Sequence, residues 1–209
     1  MRISILMQFD AAYRYIGNLA ASRAQQYANL HGYPLFVYDE IQDPSRGPSW
    51  AKVQTARRIL DAMLSCKTCD YLFWLDADTL IMDINRPLEP ILSGKTMDVS
   101  QDYNGLCAGV FGIQVTQEGL NLLSAWNFLG QVADETEFGN PGLEDQATLM
   151  LLDRKFPKVH DMIGRIPESI VANQDSHASA PFIYHYWARG KNKIEVFTSM
   201  MRDAENTAP

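Results

Sequence analysis

The sequence predicts an α/β fold with a parallel sheet in its first half, and three observations carry that expectation. Residues 3–9 and the run Tyr71-Leu72-Phe73-Trp74-Leu75 are apolar almost throughout, without the polar alternation of a sheet that faces water. Strands of that kind belong to parallel sheets covered by helices on both faces. Between them lie stretches with apolar residues at helical spacing, so strands and helices alternate along the chain. Finally, two carboxylates, Asp76 and Asp78, stand immediately past the 71–75 run, and ligands in such sheets sit beyond the carboxyl ends of the strands.

The elements follow in order. After the first strand, Ile16, Leu19, Ala20, Ala24, Tyr27 and Leu30 fall at helical spacing, with Gly32 as the C-cap and Pro34 beyond it. Residues 35–38 read as a short strand. After the turn-rich stretch 42–48, a helix begins near Ser49 and carries Val53, Ala56, Ile59, Leu60, Met63 and Leu64 on one face. Past Pro90 the pattern changes to short strands at 97–100 and 110–115. A helix capped by Thr116 follows, with Leu120, Leu123 and Trp126 turned inward. Residues 130–142 form a polar, turn-rich loop, 147–152 a buried helix, and 182–186 a late strand; Ile194, Phe197 and Met200 define a final amphipathic helix. The second half is expected to be a mixed α+β annex to the first.

Composition sets limits on function. The 209 residues are 46% hydrophobic and 21% charged, which is ordinary globular material and enough for one substantial core. A single domain over 1–209 is expected, in two halves, 1–100 and 101–209. Eighteen basic residues against 25 acidic ones give a net charge of −7, which argues against a nucleic-acid or anionic-membrane surface but leaves room for a local basic pocket. The apolar start of the chain is of strand length, far too short for a signal or membrane helix, so no membrane anchor is expected. Cys66, Cys69 and Cys107 make an odd count that suits a reducing compartment. Cys66-Lys67-Thr68-Cys69 ends a helical pattern instead of opening one, and no second pair completes a zinc site. A cytoplasmic chain is the expectation, encoded by a virus or bacterium or cut from a longer protein.

Asp76-Ala77-Asp78 carries the chemistry. Two carboxylates directly after five buried apolar residues are costly unless a positive partner joins them. At i and i+2 past a strand both can turn toward one hard cation, Mn²⁺ or Mg²⁺, of the kind that also holds substrate phosphates. The string Asp76-Ala77-Asp78-Thr79-Leu80 also resembles haloacid-dehalogenase-type phosphatases, in which the first Asp accepts the phosphoryl group. That string normally opens its domain, whereas here a complete strand-helix-strand-helix unit precedes it.

Five segments occur in a telling order: Trp50-Ala51-Lys52 with Arg57-Arg58, Phe73-Trp74-Leu75-Asp76-Ala77-Asp78, Ala108-Gly109-Val110-Phe111-Gly112, Glu144-Asp145-Gln146, and His185-Tyr186-Trp187-Ala188-Arg189-Gly190-Lys191. Together they resemble the family of fungal α-galactosyltransferases and plant xyloglucan xylosyltransferases, and more distantly the glycogenin-like family. The resemblance implies a GT-A fold, a Rossmann-like N-terminal half with a mixed sheet, and a retaining transferase that uses a metal and a UDP-sugar donor on a glycan or glycoprotein acceptor. It places the metal on Asp76, Asp78 and His185 and the diphosphate on Gly190 and Lys191. Gln8, Phe9 and Tyr15 become nucleotide contacts at the end of the first strand, with core packing as the competing account of both aromatic residues. Lys52 and Arg58 are expected to serve the same pocket, with exposed charges on a helix face as the competing account. Asp102, Asn104, Ala108, Gly109 and Asp145 become sugar contacts, and Cys107 stands where family members often carry Asn or Ser. Glu144, Asp145 and Gln146 form the catalytic helix start, Gln146 facing the anomeric carbon. Trp187 is expected to stack on an acceptor ring. A domain that binds nucleotide sugar without turnover is the non-enzyme alternative.

Two readings rest on the residues themselves. Lys191 opens a helix, where a cation opposes the helix dipole and asks for an anion in compensation. Glu144 and Asp145 open another, where acids are expected for helix stability alone.

Overall fold

The computed structural model describes residues 1–41, 47–132, 144–174, 178, 180–187 and 192–206. Three strands of the first half, β1 (Ile3–Gln8), β2 (Leu35–Tyr38) and β3 (Tyr71–Asp76), are parallel, joined by helices α1 (Arg14–His31) and α2 (Pro48–Cys66). Gly32 closes α1 in the left-handed region at φ 73°, as its lack of a Cβ allows. Beyond β3 come β4 (Thr79–Ile81), β5 (Met97–Asp102), β6 (Gly105–Gln114), α3 (Gln117–Val132), α4 (Glu144–Lys155), α5 (Pro157–Met162), β7 (Ile163–Ile166), β8 (Val171–Asn173), β9 (Ile183–His185) and α6 (Lys193–Asn206). The hydroxyl of Thr116 accepts from the Gly119 amide at 3.1 Å and caps α3.

The strands form two sheets. The larger runs β2-β1-β3-β6-β5-β7 and the smaller β4-β9-β8. The second half therefore completes the main sheet as well as building beside it. β6 lies antiparallel between β3 and β5, and β7 pairs parallel with β5 at the edge. β6 is also longer than the expected strand at 110–115. Its first residues, Gly105-Leu106-Cys107-Ala108-Gly109, include small types of weak strand propensity, and pairing of Gly105, Leu106 and Cys107 with β5 extends the strand to this end.

Period-two alternation sends each strand into two cores. Ile3, Ile5, Met7, Phe73 and Leu75 join Ala20, Ala24 and Tyr27 of α1 and Phe197, Met201 and Ala204 of α6 on one face. Leu6, Leu72, Trp74 and Phe111 join Val53, Ala56 and Leu60 of α2, Leu122, Leu123 and Trp126 of α3 and Leu149 of α4 on the other. Sheet between helix layers explains the apolar strands. The inward face of α6 differs from the expected one: Phe197, Met201 and Ala204 are buried, while Ile194 is 48% exposed in the first turn. Of the paired cysteines, Cys66 is exposed and Cys69 buried, and both are free thiols.

Candidate metal and donor site

β3 leaves the sheet at Asp76, and β4 enters the small sheet at Thr79, so the two aspartates occupy the turn between sheets. Thr79 tightens that turn by donating its hydroxyl to the Asp76 carbonyl at 2.7 Å. β9 pairs with β4 so that His185 lies opposite Thr79, and the Tyr186 amide donates to the Asp78 carbonyl at 2.9 Å. This register brings His185 Nε2 to 3.3 Å from Asp78 Oδ1 and 3.9 Å from Asp76 Oδ2. Asp76, Asp78 and His185 each offer one ligand atom, and these atoms all lie within 4.8 Å of one another.

Room for the imidazole comes from β6. A Cβ on Gly109 would fall on the His185 ring, so the strand can pass beneath the histidine only as glycine. The pairing of β5 with β6 shifts register here, from Val99 opposite Phe111 to Ser100 opposite Cys107, and the extra residues of the bulge include Ala108 and Gly109. The bulge also frees Ala108 from the ladder: its amide donates to Gln146 Oε1 at 3.2 Å and its carbonyl accepts from Lys52 Nζ at 3.2 Å.

Two lysines meet the acids. Lys52, from the second turn of α2, lies 2.8 Å from Asp76 Oδ2 and 3.1 Å from Asp145 Oδ2. Its ammonium is held well above the usual lysine range: burial alone would lower it, and the two carboxylates outweigh burial. Lys193, which opens α6, lies 2.7 Å from Asp78 Oδ2 and 4.8 Å over the Tyr13 ring. Asp78 is buried, which would raise its pKa, yet His185 and Lys193 hold it well below the carboxylate range. Asp76 shifts upward, because burial and the Asp78 charge outweigh Lys52 and His185. The Trp74 indole steadies Asp76 by donating to Oδ1 at 2.7 Å.

Beside this cluster, α4 starts under the hairpin between β5 and β6. Gln146 donates from Nε2 to Asp102 Oδ2 at 3.0 Å while its Oε1 accepts from Ala108, so both ends of the amide are used and its orientation is fixed. Asp102 Oδ1 accepts from the Asn104 amide at 2.7 Å, which shapes the hairpin. The Trp126 indole accepts nothing and donates to the Asp145 carbonyl at 2.8 Å, anchoring the helix start to α3.

The structure thus brings Asp76, Asp78, His185, Lys52, Asp102, Asn104, Ala108, Gly109, Asp145 and Gln146 to one end of the main sheet. Gln8 is the register neighbour of Asp76, buried, and donates to the Glu40 carbonyl at 3.0 Å. Phe9 packs on α1, its ring filling the space above Gly17, and Tyr15 is 55% exposed. The Arg58 guanidinium stands 6.0 Å from the Tyr38 ring centroid, over the end of β2. Trp187 lies 6.1 Å from the Tyr103 ring. Gly190 and Lys191 lie outside the described residues, as does the side chain of Glu144. Sequence reasoning missed Lys193 and Asn173. The argument that a lysine opening a helix asks for an anion was applied to Lys191, and two residues later it holds for Lys193, whose anion is Asp78. Asn173 ends a short apolar run, a signal that many strand ends share.

Residues 10–99 match the family described as galactosyl transferase GMA12/MNN10. This is the family that the order of motifs resembles. Glycosyltransferase 6 of Arabidopsis thaliana is 24% identical over 150 residues, 67% of this chain and 33% of that protein. Xyloglucan 6-xylosyltransferase 1 of Arabidopsis thaliana is 29% identical over 114 residues, 50% of this chain and 24% of that protein. The matches span about a third or less of these plant relatives. Among solved structures, a glycosyltransferase involved in glycosylation of the PBCV-1 major capsid superposes with a TM-score of 0.73 at 13% identity, covering 95% of this chain and 100% of that one. The fold is that of GT-A glycosyltransferases. No described helix is long and apolar enough to cross a membrane.

Proposed function

We propose that the chain is a metal-dependent, retaining glycosyltransferase domain that moves a hexose or pentose from a UDP-sugar to a glycan or glycoprotein acceptor. One observation carries this reading: Asp76, Asp78 and His185 converge at the carboxyl end of the main sheet, on a GT-A fold. The donor set suits a divalent cation, since two hard carboxylate oxygens and an imidazole nitrogen fit Mn²⁺ better than a soft metal and also admit Mg²⁺. Bound there, the cation would supply Lewis acidity to the departing diphosphate.

The protein's own groups account for the rest. Breaking the anomeric C–O bond builds negative charge on the leaving phosphate, and Lys52, at the edge of the acid cluster, adds fixed positive charge beside it. Gly190 and Lys191, which the family resemblance assigns to the diphosphate, would extend that role. Gln8 at the end of β1 and Arg58 on α2, whose guanidinium stands by Tyr38 at the end of β2, suit a base and ribose, and Asp102, Asn104 and Asp145 suit sugar hydroxyls. Retention is favoured by the state of the acids near Gln146. Asp145 is paired with Lys52, and Asp102 is engaged by Gln146 and Asn104. Both carboxylates are already engaged by groups of the protein, whereas the leaving phosphate can take the acceptor's proton on the same face. Gln146, held rigid at both ends, orients the sugar.

Thermal unfolding with UDP and a panel of UDP-sugars, with Mn²⁺ and with chelator, tests the reading. UDP should stabilise the protein with Mn²⁺ and hardly at all in chelator, and equal shifts in both would overturn it. Release of UDP from the preferred donor separates a transferase from a domain that only binds.

A further inference from the structure

The small sheet places three side chains in one row. His185 on β9 lies opposite Thr79 of β4 on one side and Asn173 of β8 on the other. Side chains at one register point to the same face. Asn173 is 2% exposed, and its two amide ends have different partners. Nδ2 donates to the Gln101 carbonyl at 2.6 Å, across to β5 of the main sheet. A carbonyl only accepts, so this bond fixes the carboxamide, and Oδ1 is the end that faces His185 Nδ1 at 3.1 Å. Cys107 Sγ is 3.4 Å from the same ring nitrogen and 3.7 Å from Asn173 Oδ1, and its thiol is a weak donor that Oδ1 also accepts. An imidazole nitrogen that faces a carboxamide oxygen carries its proton there. With a cation between the ring and the acids, the ring is neutral and its lone pair is on Nε2, the nitrogen that looks at Asp78 and Asp76.

We propose that Asn173 is a positioning residue that keeps the His185 proton on Nδ1 and thereby presents the Nε2 lone pair to a divalent cation held with Asp76 and Asp78. The inference rests on the metal-dependent reading above. Asn173 touches neither cation nor sugar in this scheme and acts through His185. A histidine ligand whose second nitrogen is left without an acceptor loses both its tautomer and its ring orientation, which typically weakens metal binding ten- to a hundredfold. The bond to Gln101 adds a mechanical part, since it fixes β8, which pairs with the ligand strand β9, to the main sheet from which Asp76 emerges.

Calorimetric titration with Mn²⁺ alone decides the matter, on the wild type, Asn173→Leu, Asn173→Asp and Asp78→Asn. Asn173→Leu, similar in size but without an acceptor, should bind Mn²⁺ about tenfold or more weakly. Asn173→Asp, which keeps an oxygen toward Nδ1, should recover most of that loss. Equal affinity of the wild type and Asn173→Leu overturns the inference while leaving the metal site standing. Wild-type binding that Asp78→Asn does not weaken overturns the metal-dependent reading instead, and this inference with it. Should Asn173→Leu fail to fold, nitrogen-15 long-range correlation of the His185 ring in wild-type protein loaded with Zn²⁺, a diamagnetic ion that imidazole accepts, gives the answer. A proton on Nδ1 and none on Nε2 is expected, and the reverse overturns the proposal.

Discussion

The Lys193 ammonium lies 2.7 Å from Asp78 Oδ2, joining the first turn of α6 to a carboxylate 115 residues upstream. Both side chains are about nine-tenths buried, so in the protein without cation this lysine supplies a charge that the acid cluster needs. Removing one partner of a buried pair costs about 3–5 kcal/mol, because the other is left uncompensated. Lys193→Met should therefore unfold at clearly lower temperature than wild type in chelator, and the deficit should shrink when Mn²⁺ supplies positive charge to Asp78. Paired thermal melts with and without Mn²⁺ measure this, and a deficit unaffected by the ion would show that Lys193 matters only for packing.

Gly109→Ala tests the space beneath the histidine. The new methyl group would occupy the volume of the His185 ring, and the bulge of β6 is held at both ends, by Cys107 opposite Ser100 and Val110 opposite Leu75, so it has little freedom to retreat. The imidazole should be pushed off its place, and Mn²⁺ affinity should fall about tenfold or more. Far-UV circular dichroism should stay native. Unchanged calorimetric affinity would mean that His185 is not a ligand.

Gln146→Ala removes the link between Asp102 and Ala108, and Gln146→Glu puts a carboxylate against Asp102 Oδ2, where the amide now donates at 3.0 Å. Turnover of the preferred UDP-sugar should fall on the order of a hundredfold in both, the size expected for losing one oriented polar group, with little change in UDP affinity. The product should keep the donor's anomeric configuration. Proton NMR of fresh product reads this directly, and the opposite anomer would move the base role to Asp145 or Glu144.

A pH effect is expected at a position remote from the site. Asp98 on β5 is 1% exposed, with Oδ1 2.5 Å from the Ser93 hydroxyl and Oδ2 3.1 Å from the Ser93 amide. Burial raises its pKa, and the Ser93 bonds and Lys95 only partly offset that. The folded protein thus holds the proton longer than the unfolded chain, so the Asp98 contribution is complete below about pH 4 and is lost as pH rises through the raised value. Asp98→Asn should abolish this slope. Denaturant unfolding at a series of pH values should show wild type losing stability relative to the variant as pH climbs.

Much of this was legible in the sequence because it depends on local pattern. The apolar run before Asp76 and the helical spacing of α1 and α2 gave the parallel half, and the order of short motifs pointed to the fold and to Asp76, Asp78 and His185. What escaped is what only long-range pairing creates. The insertion of β6 between β3 and β5 cannot be read from its glycine- and alanine-rich start, and neither can the bulge that turns Ala108 toward Gln146. Asn173 is an unremarkable strand-end polar residue until β8 is laid beside β9. The pairing of Lys52 with both Asp76 and Asp145 likewise joins three elements whose spacing carries no common period. Phe9 had two accounts in the sequence, a ligand contact and core packing, and its ring packs over Gly17.

The small sheet has a consequence for how the protein is made. β4 lies just past the first three strands, but β9, which covers it, comes from the last quarter of the chain. Contacts of such sequence separation form late, since the loop they close costs entropy before any pairing repays it. During synthesis β1, α1, β2, α2 and β3 emerge and begin to pack while Asp76 and Asp78 still lack His185 and Lys193. Asp76 can meet Lys52 of α2 early, whereas both groups that face Asp78 arrive last, so a chain interrupted before β8 would carry Asp78 without either of them.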